Sequence, residues 1–306
     1  EAQQGPGIDL QREVQVDRAV ARFLGVEIHL PQLAQRIRLH EVTLVVHVKT
    51  VVDRVALQVG HETGNIDDGH EDPFRVQRCG CQRHYRAEPM NHDRLSLLHE
   101  VADAVAAAFV GVRDFGPSGQ RAGQYALDVV ANDAALQVLR RAGVGVLSEE
   151  SEFEAGATGE VVIIDPIDGS TNASRGVRYF ATAMCLVDAD GPAVALVANQ
   201  ATGERYWATR GGGAWCDGVR ISPSECVDVT DSIIGLNGLP PHPLGYRQSR
   251  VLGAVALDLC HVAAGVFDGY VDCVDEAHGV WDHAASVMIC REAGAHVVDL
   301  LGRELI

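Results

Sequence analysis

Residues 161–172 read VVIIDPIDGSTN. A short β-branched run of this kind is a buried-type strand, and it ends on Asp165. A second acid, Asp168, follows three residues later, with Pro166 stiffening the turn between them and Gly169 directly after. The carboxyl end of a strand is where α/β sheets often put ligands. Two carboxylates fixed there can face one point, as a shared hard cation requires. Without a cation they repel each other and one takes up a proton; a divalent ion keeps both ionised. Gly169 lets the backbone approach a ligand. Ser170 and Thr171 come where a helix could start, so free N–H groups there suit a phosphate. The same letters also spell a surface turn, since Asp, Pro and Gly are all turn residues.

The surroundings decide between these. Leu95, Leu98, Ala102, Val105, Phe109 and Val112 recur every three or four residues, one face of an amphipathic helix. Gly116 to Gly123 is a glycine-rich loop. Asp133 to Arg141 reads as a second helix, with Asp at its start and Gly143 past its end. Val144 to Leu147 is a short strand leading into Ser148-Glu149-Glu150. Ala183 to Val187 and Ala193 to Ala198 are strands joined by the hairpin signal Asp188-Ala189-Asp190-Gly191, and Glu204 to Ala208 is a third. Val251 to Val266 and His283 to Ala293 read as helices, and His296 to Asp299 as a strand. Interspersed helices and a mostly antiparallel sheet define a layered α/β or α+β fold.

Charge separates the chain into two regimes. Of 42 acids and 25 bases, residues 1–89 hold 13 acids and 11 bases, a balance of −2, so the remainder carries −15 of the net −17. Such a polyanion is a poor binder of nucleic acid or anionic membrane. No run of 18 apolar residues is present, which argues against a membrane-spanning helix, and residues 1–9 lack the basic and apolar regions of a secretory signal. The eight cysteines have no metal-ligand spacing. Buried reduced thiols in a cytoplasmic protein are the expectation. Residues 1–89 contain no Ser, Trp or Met but 9 of the 14 Gln. Two readings stand there: a genuine extension, or upstream sequence read in a frame not normally translated, with Met90 the natural start. Within it, Val42 to Val52 could be a strand and Gly64 to Pro73 a turn-rich loop.

Two further acidic segments bear on the first. Ser148-Glu149-Glu150 stands one element before the Asp pair, and Trp281-Asp282-His283-Ala284-Ala285 puts an Asp at a helix start. Taken alone, Glu149 and Glu150 are a solvated pair, Asp282 is an N-cap and His283 is a structural histidine. Taken together with Asp165 to Asn172, the three segments resemble the inositol monophosphatase family. Leu127 to Asp133, Arg210 to Gly218, Ala263 to Tyr270 and Glu292 to Ala295 extend the likeness over residues 90–306.

That family comprises magnesium-dependent, lithium-sensitive phosphomonoesterases, so the resemblance implies its α-β-α-β-α layered sandwich and its chemistry. Glu149, Asp165 and the Ile167 carbonyl would hold one Mg²⁺, and Asp165, Asp168 and Asp282 a second, with a weaker third near Glu149. Gly169 and Ser170 N–H groups would hold the phosphate. The Ser170 hydroxyl, backed by Asp133, would help orient the attacking water. Thr171, Asp272 and Asp282 would meet the substrate, a small phosphorylated polyol, and a homodimer is a state the family often adopts. No covalent phosphoenzyme is implied.

The chain also departs from the family. Ala173 replaces an aromatic, and Leu252 to Val255 lacks the usual Ser or Thr. Asp272 stands for a longer acid, and the chain stops soon after Gly302, which would leave a sheet neighbour unpaired. These changes bear on the substrate rather than on the metal chemistry. Branches acting on histidinol phosphate, fructose bisphosphate or adenosine bisphosphate, a non-catalytic regulatory member and a truncated inactive product are the alternatives. Thr171 stands where the histidinol and adenosine branches often carry Lys, which favours the inositol type.

Overall fold

The computed structural model describes residues 44–47, 89–110, 112, 115–240, 243–274 and 277–299. The loop reading of Gly64 to Pro73 and the residues from 300 onward lie outside them.

Two sheets and two helix pairs alternate. The larger sheet has seven strands in sequential order: β2 (Gly145–Ser148), β3 (Val161–Asp168), β4 (Ala181–Asp188), β5 (Gly191–Asn199), β6 (Arg205–Thr209), β7 (Gly213–Cys216) and β8 (Val219–Arg220). Only β2 and β3 run parallel; the other neighbours are antiparallel. The period of two along the strands makes two cores. Val161, Ile163, Ala183, Cys185, Ala195 and Val197 face one side. Val162, Ile164, Met184, Leu186, Val194 and Leu196 face the other. That second side is covered by α1 (Pro89–Phe109) and α2 (Ala126–Ala142), through Leu98, Val105, Leu127 and Leu139 among others.

The first side is covered by α4 (Val255–Ala263) and α5 (Val280–Ala293), which separate it from the smaller sheet. In that sheet the order is β10 (Gln248–Arg250), β9 (Ile233–Asn237), β11 (Gly269–Asp272), β1 (Leu44–His47), β12 (His296–Asp299). The result is helix, sheet, helix, sheet, the layered class expected; a fifth, outer helix layer is not among the described residues. β1 runs antiparallel between β11 and β12, with Val45 opposite both Val271 and Val298. β1 comes from the first 89 residues, inside the expected Val42 to Val52 strand.

Element boundaries differ from expectation in one place that matters. α2 begins at Ala126, seven residues before the expected Asp133. Its buried stripe is Leu127, Asp128, Ala131, Asn132, Ala135 and Leu139, whereas Asp133 is exposed. Gly143 closes the helix in the left-handed conformation, as expected. α4 is shorter than the expected 251–266 span, because Gly253 takes φ +80° ahead of it.

Candidate active site

The site forms where β2 and β3 end beside the N-termini of α2, α4 and α5. Between β3 and α4, a short helix α3 (Ser170–Arg175) starts directly after the Asp motif. Pro166 O accepts from the Thr182 hydroxyl on β4 at 2.9 Å, and Asp165 Oδ1 accepts from Ile167 N at 2.8 Å. These bonds hold the turn. At Gly169, φ is +89°, and an added Cβ would lie 3.1 Å from Ala254 Cβ and Tyr179 O. Glycine is required there by both conformation and space.

Glu149, Asp165 and Asp282 converge: each offers a carboxylate oxygen within 4.8 Å of the others. Burial, then the Glu150 charge, pushes the Glu149 carboxyl up to about 7. Asp165 rises well above the carboxylate range through burial and the charges of Glu149, Asp282 and Asp168, and Asp282 likewise through burial and Glu149. Buried carboxylates placed this close favour either protons or a cation. Three hard oxygen donors around one point are a fitting set for a divalent ion such as Mg²⁺.

Asp168 lies beside this trio but turns partly away. Its Oδ2 accepts from Ala256 N at the start of α4, at 2.6 Å, and burial raises its carboxyl to about 7. The Ile167 carbonyl accepts from Ser170 Oγ at 2.8 Å. Thr171 Oγ1 meets the exposed Tyr125 hydroxyl at 3.2 Å.

Asp133 is not brought to the site. Five residues along a helix turn the direction by about 140° from the starting face, and that places Asp133 in solvent. Asp128 occupies the expected position instead. Its Oδ2 accepts from Tyr125 N at 2.8 Å, while its buried Oδ1 has no hydrogen-bond partner. Burial raises its carboxyl to about 6, opposed by the Tyr125 N–H and the nearby Ser170 hydroxyl. The sequence signal existed: Asp128 and Asn132 share the stripe of Leu127, Ala131 and Ala135, and Asp133 does not.

Other groups at the site had no sequence signal. Arg121 Nη2 pairs with Glu150 at 2.8 Å and its Nη1 donates to Glu149 O at 2.9 Å, while Gln124 also donates to Glu150. Glu150 thus anchors the glycine-rich loop instead of being solvated. Asn172 Nδ2 donates to Tyr179 O at 2.8 Å and Leu252 O at 2.7 Å, tying α3 to the loop before α4. Asp272, expected at the substrate, is buried at 2% exposure. Its Oδ1 accepts from Asn237 Nδ2 and Val274 N, both at 2.9 Å. Its Oδ2 lies 3.3 Å from His278 Nε2.

A layered sandwich with buried carboxylates converging at strand and helix ends holds a site that a divalent cation fits. The chain belongs to the inositol monophosphatase family, whose model matches residues 118–306. It is 33% identical over 226 residues to a fructose-1,6-bisphosphatase/inositol-1-monophosphatase of Archaeoglobus fulgidus, covering 70% of this chain and 87% of that protein. It is also 33% identical to an inositol-1-monophosphatase of Mesorhizobium japonicum, covering 68% and 87%. Among solved structures, a Thermotoga maritima IMPase superposes with TM-score 0.61 at 26% identity, covering 70% and 88%. The extragenic suppressor protein suhB of Bartonella henselae gives 0.58 at 27%, covering 66% and 85%. No helix of the described residues is long and apolar enough to cross a membrane.

Proposed function

We propose that this phosphatase hydrolyses a small inositol or sugar phosphate with Mg²⁺, by direct attack of water. The observation that carries the reading is the convergence of Glu149, Asp165 and Asp282 within 4.8 Å. Glu149, Asp165 and the Ile167 carbonyl would hold one ion; Asp165, Asp168 and Asp282 would hold a second, with a third near Glu149. Bound there, Mg²⁺ lowers the pKa of water and neutralises charge on the transferring phosphoryl group.

The protein groups do the rest. Gly169 and Ser170 N–H groups, at the turn into α3, would donate to the phosphate oxygens. The Ser170 hydroxyl donates to Ile167 O at 2.8 Å. If that carbonyl is given to an ion, the hydroxyl proton can turn to the unpartnered Asp128 Oδ1. The Ser170 lone pair is then free to orient a proton of the attacking water. Asp128 thereby takes the part expected of Asp133. Thr171 and Asp282 would meet the substrate, whereas the expected Asp272 is buried with its oxygens engaged by Asn237, Val274 and His278. The names of the relatives support inositol 1-phosphate and fructose 1,6-bisphosphate as first substrates to try.

The test is phosphate release from a phosphomonoester panel with Mg²⁺, with chelator and with Li⁺. Mg²⁺-dependent release that Asp165→Asn abolishes is the expected outcome. Wild-type turnover in that variant would sink the assignment.

A further inference from the structure

A buried acid that neither the metal set nor the phosphate cradle uses stands behind the Asp motif. Asp258 is buried in the first turn of α4, and its Oδ1 accepts from the Tyr179 hydroxyl at 2.7 Å. Tyr179 stands in the link between α3 and β4, packed against the core that α4 and α5 share with the large sheet. One turn along α4, His261 Nδ1 lies 3.2 Å from the same hydroxyl. The hydroxyl has one proton, given to Asp258, so His261 meets it as a donor. Tyr179, Tyr206 and Phe267 wall in the His261 ring, with centroids at 5.6, 6.3 and 5.0 Å. These bonds close a circuit with the motif itself. Asn172 Nδ2 donates to Tyr179 O at 2.8 Å and to Leu252 O ahead of α4. Asp168 Oδ2 accepts from Ala256 N at 2.6 Å, in the same turn of α4 as Asp258.

We propose that Tyr179, through Asp258, fixes the first turn of α4 so that Asp168 gives one oxygen to Ala256 and keeps the other for a cation. The inference rests on the phosphatase reading above. Val255, Ala256 and Leu257 head the helix, where backbone N–H groups lack helical acceptors. Asp168 supplies the acceptor for Ala256, so the direction of its carboxylate follows how α4 is turned. Asn172 pins only the chain ahead of the helix. Tyr179 adds a bond to the turn itself, and two anchors resist a rotation about the helix axis that one would permit. The partner of a ligand's other atom sets how that ligand meets its metal. Tyr179 and Asp258 act through Ala256 and Asp168, as positioning residues.

Two measurements test this: calorimetric titration with Mg²⁺ alone at pH 8, and hydrogen exchange of the Ala256 amide followed by NMR without metal. The variants are Tyr179→Phe, Asp258→Ala, Asp258→Asn and, as matched control, Tyr206→Phe. The Tyr206 hydroxyl also goes to an acid, Glu204 Oε2 at 2.9 Å, and its ring also packs on His261. In Tyr179→Phe and Asp258→Ala, affinity for one of the bound ions is expected to fall about tenfold, with the other unchanged. The Ala256 amide exchanges about tenfold faster, the size of one lost hydrogen bond. Asp258→Asn keeps an oxygen for Tyr179 and recovers most of both. Because the two residues act through one bond, the double variant Tyr179→Phe/Asp258→Ala loses no more than either single one. Tyr206→Phe moves neither readout. Equal losses at every ion, additive losses in the double variant, or the same effect from Tyr206→Phe overturn the inference, since general loosening of the core gives those results. If Tyr179→Phe does not fold, Asp258→Asn against Asp258→Ala carries the test. Wild type that binds no Mg²⁺ and releases no phosphate would fail the phosphatase reading alone. The Ala256 amide then decides, and an exchange rate unchanged in Tyr179→Phe overturns the role of Tyr179.

Discussion

Asp128 and Asp282 occupy equivalent places on different helices. Each is the third helical residue, and each accepts the N–H of the residue three before it, Tyr125 at 2.8 Å and Gly279 at 2.6 Å. One oxygen caps the helix while the other stays available to the site. Such a carboxylate is fixed by backbone, so it is aimed without help from another side chain. This separates Asp128 from Asp133, five residues on and in solvent. Asp128→Asn keeps the shape but replaces a charged acceptor, and phosphate release is expected to fall at least a hundredfold. Asp133→Asn is expected to stay within about twofold of wild type, as exposed substitutions do. Parallel initial-rate measurements on the two variants decide it; equal losses would return the role to Asp133.

At the scale of elements, the turn from β3 into α3 sets the geometry of everything around it. Gly169→Ala must place a side chain at φ +89° and 3.1 Å from Ala254 Cβ and Tyr179 O. A residue forced into that region costs about 1–3 kcal/mol, and the contact adds to it. Gly203 has φ +82° with nothing within 4 Å, in the turn between β5 and β6. Gly203→Ala is expected to lower Tm modestly and leave turnover intact, whereas Gly169→Ala lowers Tm further and cuts turnover at least tenfold. Thermal melts and rate assays on both variants check it. Intact turnover in Gly169→Ala would mean the turn does not need its present shape.

The same turn shows how far the sequence could be read. The strand, the two acids and the glycine are local pattern, and so were the helical stripe of α1 and the hairpin at Asp188 to Gly191. The start of α2 was misplaced because Asp133 looks like an N-cap, while the true N-terminus is capped from within by Asp128. The anchoring of Glu150 by Arg121, and of His278 by Asn237, joins residues 29 and 41 positions apart. No periodicity carries contacts at that separation; only packed layers create them.

For the molecule as a whole, five of the 42 acids are drawn together at one point inside the fold. Asp128, Asp165 and Asp168 are buried, and Glu149 and Asp282 nearly so. Burial raises Asp128 to about 6 and Glu149 and Asp168 to about 7. Each of these acids holds its proton more tightly folded than unfolded. Their contribution to stability is therefore full below the ordinary carboxylate pKa near 4 and is lost as pH rises through about 6 to 7. A divalent cation competes with those protons, since its ligands must be deprotonated. Binding of Mg²⁺ near pH 6.5 is expected to release protons. The release appears as a binding enthalpy that changes with the ionisation enthalpy of the buffer. The share from Asp128, Glu149 and Asp168 fades as pH rises above about 7, where these three are ionised. The rise in Tm on adding Mg²⁺ follows the opposite trend, small at pH 5 and full at pH 8, because the cation there relieves carboxylates that protons no longer neutralise. Calorimetry in two buffers at pH 6.5 and 8.5 is the measurement. A binding enthalpy independent of buffer at pH 6.5 would mean that the buried acids are already ionised without the ion. The trio would then be held apart by something other than a cation or protons.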